Sequence, residues 1–291
     1  MKKLLVTGAS GFLGWNICHV AQSKWQVYGT YSSHDIDSKN LNFIKVDLTN
    51  FTALKSLFET LKPTALIHAA AQSKPNFCQQ YPEQAYPINV TASINIAGLC
   101  SDLSIPCVFT STDLVFDGSN PFYQETDPVS PISIYGEQKV KAEEEMRRRY
   151  PNIIVCRMPL MFGKPSPYSG SFIQGFIQTL KQGKELNLFI DEYRTPASGI
   201  TAAKGLLMAL ETQEKIIHLG GKERISRYNF GHLMAEVFEL PTTKIHSCCQ
   251  QDVEMNAPRP ADVSLDSSKA MSLGYNPLSI REELELLKGE I

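Results

Sequence analysis

Short apolar runs alternate with amphipathic segments along the first half of the chain. Lys3 to Thr7 runs into Gly8-Ala9-Ser10-Gly11-Phe12-Leu13-Gly14, an order that predicts a strand, a glycine turn and the start of a helix reaching Ser23. Further strands are predicted at Gln26 to Thr30, Asn42 to Val46, Ala65 to His68, Pro106 to Thr110 and Asn152 to Arg157. Helical spacing falls between them at Phe51 to Leu61, at Pro82 to Leu103 with interruptions, and in the polar segment from Tyr135 to Arg147. Strands alternating with helices imply a parallel sheet covered on both faces. The expected fold class is therefore α/β, a Rossmann doubly wound parallel sheet. Ligands of such sheets sit beyond the carboxyl ends of the strands, which is where Gly8, Asp47, Ala69, Thr112 and Arg157 fall.

Beyond Arg157 the pattern changes. Met158 to Ser171 is rich in Pro, Gly and Ser and reads as loop, as does Gln251 to Ala261. Asp191 to Pro196 is a polar, turn-rich stretch. Helices are predicted at Phe172 to Gln182, Ala202 to Glu211, Tyr228 to Phe238, Ser267 to Ser272 and Ile280 to Leu287, with a short strand at Lys215 to Leu219. The expected organisation is a Rossmann domain over 1–160 with returning segments around 197–220. A smaller substrate-binding lobe is expected from 161–196 and 221–291.

Composition narrows the class of partner. The 291 residues suffice for one large domain or two modest ones. A formal net charge of -2 with no basic block argues against nucleic-acid and membrane-surface binding. The apolar run after Lys2-Lys3 ends within three residues, too short for the core of a signal peptide. No stretch approaches the ~20 apolar residues of a membrane span. Cysteines 18, 78, 100, 107, 156, 248 and 249 are odd in number and irregular in spacing, with no Cys-x-x-Cys and no His/Cys cluster of zinc type. Reduced thiols in a cytoplasmic protein are expected, and no metal site.

The candidate chemistry centres on Tyr135 and Lys139, four residues apart and so on one helix face. A phenol loses its proton near pH ~10, and a nearby ammonium lowers that value, so the pair reads as a tuned proton donor. Tyr-x-x-x-Lys also arises by chance on surface helices; the glycine turn gives it weight. There one glycine makes the tight turn, one admits a pyrophosphate and one lets helix and strand pack closely, while the helix N-terminus offers N–H groups to phosphates.

Gly8, Gly11 and Gly14, Asp47 after the third strand, Ala69-Ala70-Ala71 after the fourth and Tyr135/Lys139 together resemble an extended short-chain dehydrogenase/reductase over nearly the whole chain. Ser111-Thr112-Asp113-Leu114-Val115-Phe116-Asp117-Gly118, Pro121-Phe122-Tyr123-Gln124-Glu125, Pro131, Tyr135-Gly136, and later Arg259-Pro260 with Leu265-Asp266 are similar to the dTDP-4-dehydrorhamnose reductases. That subfamily includes the regulatory beta subunit of methionine adenosyltransferase. The resemblance implies an NADP(H) or NAD(H) cofactor held by Gly8, Ser10, Gly11, Phe12, Leu13, Gly14, Tyr31, Ser32, Asp47, Leu48, Ala69, Ala70, Ala71, Asn89, Tyr135 and Lys139. Asn89 matches a family position whose role is often structural. Thr112 would hydrogen-bond a sugar carbonyl, Tyr135 would protonate it, and Lys139 would bind the nicotinamide ribose and keep the tyrosine acidic. Asp113 would sit near the substrate, with a turn cap as its plainer role.

Leu114 stands where nucleotide-sugar dehydratases carry an acid, which argues against dehydration. No acid follows the second strand at the usual place for an NAD ribose, nor an Arg for a 2′-phosphate. Ser32, Ser33 and His34 lean the reading to NADPH or dual use, with Asp35 and Asp37 as solvated loop residues. Arg194 and Arg259 are expected to grip a substrate diphosphate, since guanidinium forks match phosphate oxygens. The expected activity is NAD(P)H-dependent reduction of a nucleotide-linked 4-keto-6-deoxy sugar. A non-catalytic dinucleotide-binding regulatory subunit and a nucleotide-sugar epimerase are the alternatives. The sequence leaves oligomeric state open, a homodimer among the options.

Overall fold

The computed structural model describes residues 2–33 and 41–291. Its centre is a seven-stranded parallel sheet. In chain order the strands are β1 (Lys3–Thr7), β2 (Gln26–Tyr31), β3 (Asn42–Lys45), β4 (Ala65–His68), β5 (Cys107–Thr112), β6 (Ile154–Met158) and a final edge strand, Ile216–His218. Across the sheet the order is Ile216–His218, β6, β5, β4, β1, β2, β3. Every residue of β4, β5 and β6 is buried, as both faces of a covered parallel sheet require.

Side chains alternate between two cores. Leu4, Val6, Ile67 and Val108 enter one with α1 (Phe12–Ala21) and the helix Gly199–Ala209. Leu5, Leu66, Cys107 and Phe109 enter the other with α2 (Phe51–Leu61) and the helices α5 and α6 introduced below. Segment 199–218 thus packs on the large sheet. The buried Glu283 carboxylate, from the C-terminal helix Ile280–Glu285, accepts from the Ser198 N–H at 2.6 Å and from the Thr201 hydroxyl. It sits at the N-terminus of the helix Gly199–Ala209, which the Ser198 hydroxyl caps by accepting from the Thr201 N–H at 3.2 Å, and where a negative charge is favoured.

The remaining helices of the first half are α3 (Pro75–Gln80), α4 (Pro82–Tyr86), α5 (Ala92–Asp102) and α6 (Ile134–Arg149). The sequence predicts one interrupted helix from Pro82. The interruption is a π-turn, Pro87–Thr91, closed by the Ala92 N–H on the Pro87 carbonyl. Pro87 has no N–H to continue the α-helical ladder, and the wider turn accommodates it. β5 runs two residues past its predicted end, so Thr112 is its last residue and a 3-10 turn, Asp113–Val115, follows.

A third core holds Phe162, Ile173, Ile177, Leu188, Phe230 and Met234 in the second half of the chain. Its parallel pair, Leu186–Phe189 with Ile245–Cys248, is not anticipated by the sequence. Four residues a strand, half of them exposed in the second, give little alternation to read. Among the described residues no helix is long and apolar enough to cross a membrane, and no cluster of His, Cys, Asp and Glu could hold a metal ion.

Candidate active site

A cleft of about 1190 Å³ runs along the carboxyl ends of the sheet strands. At one end β1 turns into α1. Gly8 has φ +71, a conformation that favours glycine. A Cβ on it would lie 2.7 Å from the Ala70 Cα, so the turn and the Ala69-Ala71 loop are in backbone contact. The N-cap of α1, Gly11, has no side chain to occupy the first-turn N–H groups, and Ser10 to Gly14 face the cleft. The Ser166 hydroxyl, from the second half of the chain, donates to the Ser10 carbonyl at 2.8 Å. This cradle of backbone donors fits the pyrophosphate of a dinucleotide. Tyr31, Ser32, Asp47 and Leu48 line its far end. Asp47 also closes its own turn, accepting from the Thr49 N–H and hydroxyl at 2.9 and 2.7 Å. His34, Asp35 and Asp37 lie outside the described residues.

At the other end α6 brings Tyr135 and Lys139 to Thr112 and Asp113, and all four line the cleft. Ser133 caps α6, its hydroxyl accepting from the Gly136 N–H at 3.2 Å. A Cβ on Gly136 would lie 2.3 Å from the Leu114 carbonyl oxygen. The absence of a side chain therefore lets the first turn of α6 sit directly on the Asp113–Val115 turn. The Thr112 hydroxyl donates to Asp113 Oδ1 at 3.1 Å and accepts from the Leu114 N–H at 3.2 Å.

The structure does not show the expected coupling of Tyr135 to Lys139. Burial raises the Tyr135 phenol above its ordinary range, with Cys78 and Asp113 adding to the shift. Lys139 is spent elsewhere: its ammonium donates to the Thr110 carbonyl at 2.6 Å and sits 4.0 Å from the centre of the Phe109 ring. Burial pushes Lys139 down to about 7, against the Glu143 carboxylate, which raises it. Tyr135 is therefore fully protonated at neutral pH, and Lys139 is near its midpoint.

Charged side chains from the second half of the chain line the cleft beside Asp113. Arg194 Nε lies 3.6 Å from Asp113 Oδ2, and Arg194 Nη2 lies 3.5 Å from Glu192. Arg227 Nε lies 4.0 Å from Glu192, its guanidinium stacked 4.1 Å from the Phe172 ring. Burial lowers Arg227 to about 10, Glu192 opposes that, and Arg194 and Arg259 add repulsion. Burial pushes Asp113 up to about 6, with Arg194 and Thr112 pulling it back. Four buried atoms of cleft-lining residues have no hydrogen-bond partner among the described residues: Ser111 Oγ, Asp113 Oδ2, Arg227 Nη1 and Arg259 Nε. The sequence names Arg194, Arg259 and Asp113. It misses Glu192 and Arg227, which stand at a turn and at a helix start with no spacing that links them.

Asn89 is the one expected cofactor residue that does not line the cleft. It is buried behind it. Its oxygen accepts from the Gln72 N–H at 2.8 Å, and its amide donates to the Gln72 carbonyl and to Gln138 Oε1 at 3.2 and 2.8 Å. With those groups spent, its place is that of a brace on the loop after β4. His68 is a second brace, between the Thr7 hydroxyl at 2.6 Å and the Ser93 hydroxyl at 2.9 Å.

Known proteins share this architecture. The profile of the RmlD substrate binding domain matches residues 1–288. Methionine adenosyltransferase 2 subunit beta of Danio rerio is 28% identical over 290 residues, 94% of this chain and 86% of the relative. A hypothetical dTDP-4-dehydrorhamnose reductase from Sulfolobus tokodaii superposes with a TM-score of 0.83 at 31% identity, over 96% of this chain and 98% of that one. The dTDP-4-dehydrorhamnose reductase of Bacillus anthracis str. Ames in complex with NADP gives 0.85 at 21% identity over 100% of both chains, a likeness of fold.

Proposed function

Because the chain belongs to the RmlD substrate-binding domain family, with its extended dehydrogenase/reductase fold, we propose that it reduces a nucleotide-linked 4-keto-6-deoxy sugar with NAD(P)H. The observation that carries this reading is the convergence of Thr112, Tyr135 and Lys139 on the cleft that begins at the glycine cradle. The cofactor supplies the hydride. Gly8 to Gly14 hold its pyrophosphate, Tyr31 and Ser32 its adenosine ribose, and Lys139 its nicotinamide ribose. The lean to NADPH rests on the missing acid after β2.

Thr112 and Tyr135 hold the ketone oxygen. Donors placed at a developing oxyanion are commonly the largest catalytic contribution. A phenol held above its ordinary pKa keeps its proton at neutral pH and yields it to the more basic alkoxide, which suits reduction. Arg194, Arg227 and Arg259 take the diphosphate, the last two bringing N–H groups that lack a partner among the described residues.

Two measurements test the reading. Mixing the protein with NADPH and dTDP-4-keto-6-deoxy sugars is expected to bleach the nicotinamide band, and no change with any such sugar would count against it. The ionised Asp113 is the state that Arg194 and Thr112 serve. With saturating cofactor, kcat/KM is therefore expected to fall as pH drops through about 6, where Asp113 gains its proton. Asp113→Asn should abolish that acid limb; a limb persisting in the variant would assign it to another group.

The likeness to a methionine adenosyltransferase subunit favours a second reading, a cofactor-binding regulatory subunit. Cofactor binding without turnover, together with a stoichiometric partner enzyme on purification, would select it.

A further inference from the structure

The loop from Gly163 to Ser171 touches both ends of the cleft. At one end stands Ser166, which is buried. A serine hydroxyl has one hydrogen and two lone pairs. Both lone pairs of Ser166 are taken, by the Tyr168 N–H at 3.2 Å and the Ser169 N–H at 2.8 Å. Its hydrogen therefore goes to the Ser10 carbonyl, at 2.8 Å. The Ser166 N–H donates to the Ser169 carbonyl at 2.8 Å, so the turn that aims this hydroxyl is closed by its own backbone.

Ser10 belongs to the glycine cradle. The peptide unit between Ser10 and Gly11 has its N–H on the Gly8 carbonyl at 3.0 Å and its C=O on Ser166. It is held at both ends. Without the hydroxyl only the N–H end is held, and a carbonyl oxygen that swung toward the cleft would repel a bound pyrophosphate.

The loop ends at the anion cluster. Ser169, Gly170, Ser171 and Phe172 line the cleft. Ser171 accepts from the Gly163 N–H at 3.2 Å, which closes the loop on itself, and with Gln174 it forms the capping box of the helix Phe172–Lys181. The first residue of that helix sets its ring 4.1 Å from the Arg227 guanidinium. Arg227 Nη1 is buried with no hydrogen-bond partner among the described residues. The short run 166–172 is thus all that separates the hydroxyl on the cofactor cradle from the ring against Arg227.

We propose that segment 163–172 is a strap coupling the cofactor cradle to the anion cluster, with Ser166 as the positioning residue that latches it. A dinucleotide in the cradle favours the latched strap. The latched strap sets Phe172 against Arg227 and so places that guanidinium for phosphate oxygens. By linkage, a nucleoside diphosphate on the anion cluster tightens the cofactor by the same factor. The proposal rests on the cofactor and diphosphate assignments made above and needs no turnover.

The Kd of NADPH is measured by fluorescence titration, with and without saturating dTDP, for wild type, Ser166→Ala and Ser166→Thr. In wild type dTDP is expected to lower that Kd by about 5-fold or more, the lower end of common couplings between sites. Ser166→Ala is expected to weaken NADPH by about 3–10-fold, the worth of one hydrogen bond, and to bring the coupling ratio close to one. dTDP should still bind the cofactor-free variant near its wild-type affinity. Ser166→Thr keeps the hydroxyl and is expected to restore the coupling. A merely structural Ser166 would weaken both ligands and leave the ratio intact, which would overturn the assignment. The wild-type titration decides even without a variant. Two ligands that bind together at unchanged Kd would overturn the strap and leave the reductase reading standing. Failure of dTDP to bind at all would overturn the diphosphate assignment, and the strap with it.

Discussion

Replacing Tyr135 with Phe is expected to lower kcat for sugar reduction by about 10²–10⁴-fold, the usual contribution of a placed general acid, while cofactor affinity stays near wild type. The ring stays packed against Cys78 and Ala85, so the fold loses little. The phenolic proton is lost, and no neighbour is built to replace it. Lys139 is turned to the Thr110 carbonyl, and the Thr112 hydrogen is already one of the two donors required. Stopped-flow kinetics at saturating sugar, with cofactor titrated by fluorescence, separate the two quantities. A variant with undiminished turnover would remove Tyr135 from the chemistry. One that lost cofactor binding in proportion would make it a cofactor contact instead.

The raised Tyr135 pKa also changes how the Tyr-x-x-x-Lys spacing is understood. From sequence, proximity on a helix face implies an ammonium that acidifies the phenol. In the structure, burial governs both groups and moves them toward their neutral forms. The spacing is local and legible; the balance between desolvation and charge depends on what β5 and α3 place around the pair, and is not.

The same division runs through the rest of the site. The glycine cradle, the strand ends and Thr112 are legible because each is set by a few consecutive residues. Arg259 reaches the cleft through contacts between distant segments. The Phe116 and Tyr123 rings stack at 4.0 Å, Tyr123 hydrogen-bonds Asp117 at 2.8 Å, and its backbone pairs with Ser264 and Asp266. Those pairings anchor the C-terminal segment that carries Arg259. The Asp117-Gly118 motif is therefore an anchor for a loop. Arg227 and Glu192 have meaning only beside Arg194, and no one-dimensional pattern brings them together. Asn89, a family position whose role is often structural, is hydrogen-bonded to Gln72 on both sides and braces the loop after β4.

The second large effect is expected at Glu143, one helical turn from the cleft residue Lys139. Its carboxylate forms a bidentate pair with Arg157, at 3.0 and 3.3 Å, and both side chains are almost wholly buried, 6% and 4% exposed. The pair ties α6 to β6. Removing one partner strands the other charge in the core, so Glu143→Ala is expected to cost ~3–5 kcal/mol of stability, seen as a lower midpoint in denaturant unfolding. Glu143 is also four residues from Lys139 on α6 and is the charge that raises Lys139 against burial. Its loss should push Lys139 further below about 7, shrinking the pH range in which the ammonium is present and moving any alkaline limb of activity to lower pH. A double variant, Glu143→Leu with Arg157→Met, separates the two effects. An apolar pair of similar volume leaves no stranded charge and often restores stability, yet it leaves Lys139 without its carboxylate. The expected result is a recovered unfolding midpoint with the alkaline limb still displaced. A double variant that recovered both would show that Glu143 serves the fold alone, and that Lys139 keeps its charge by other means.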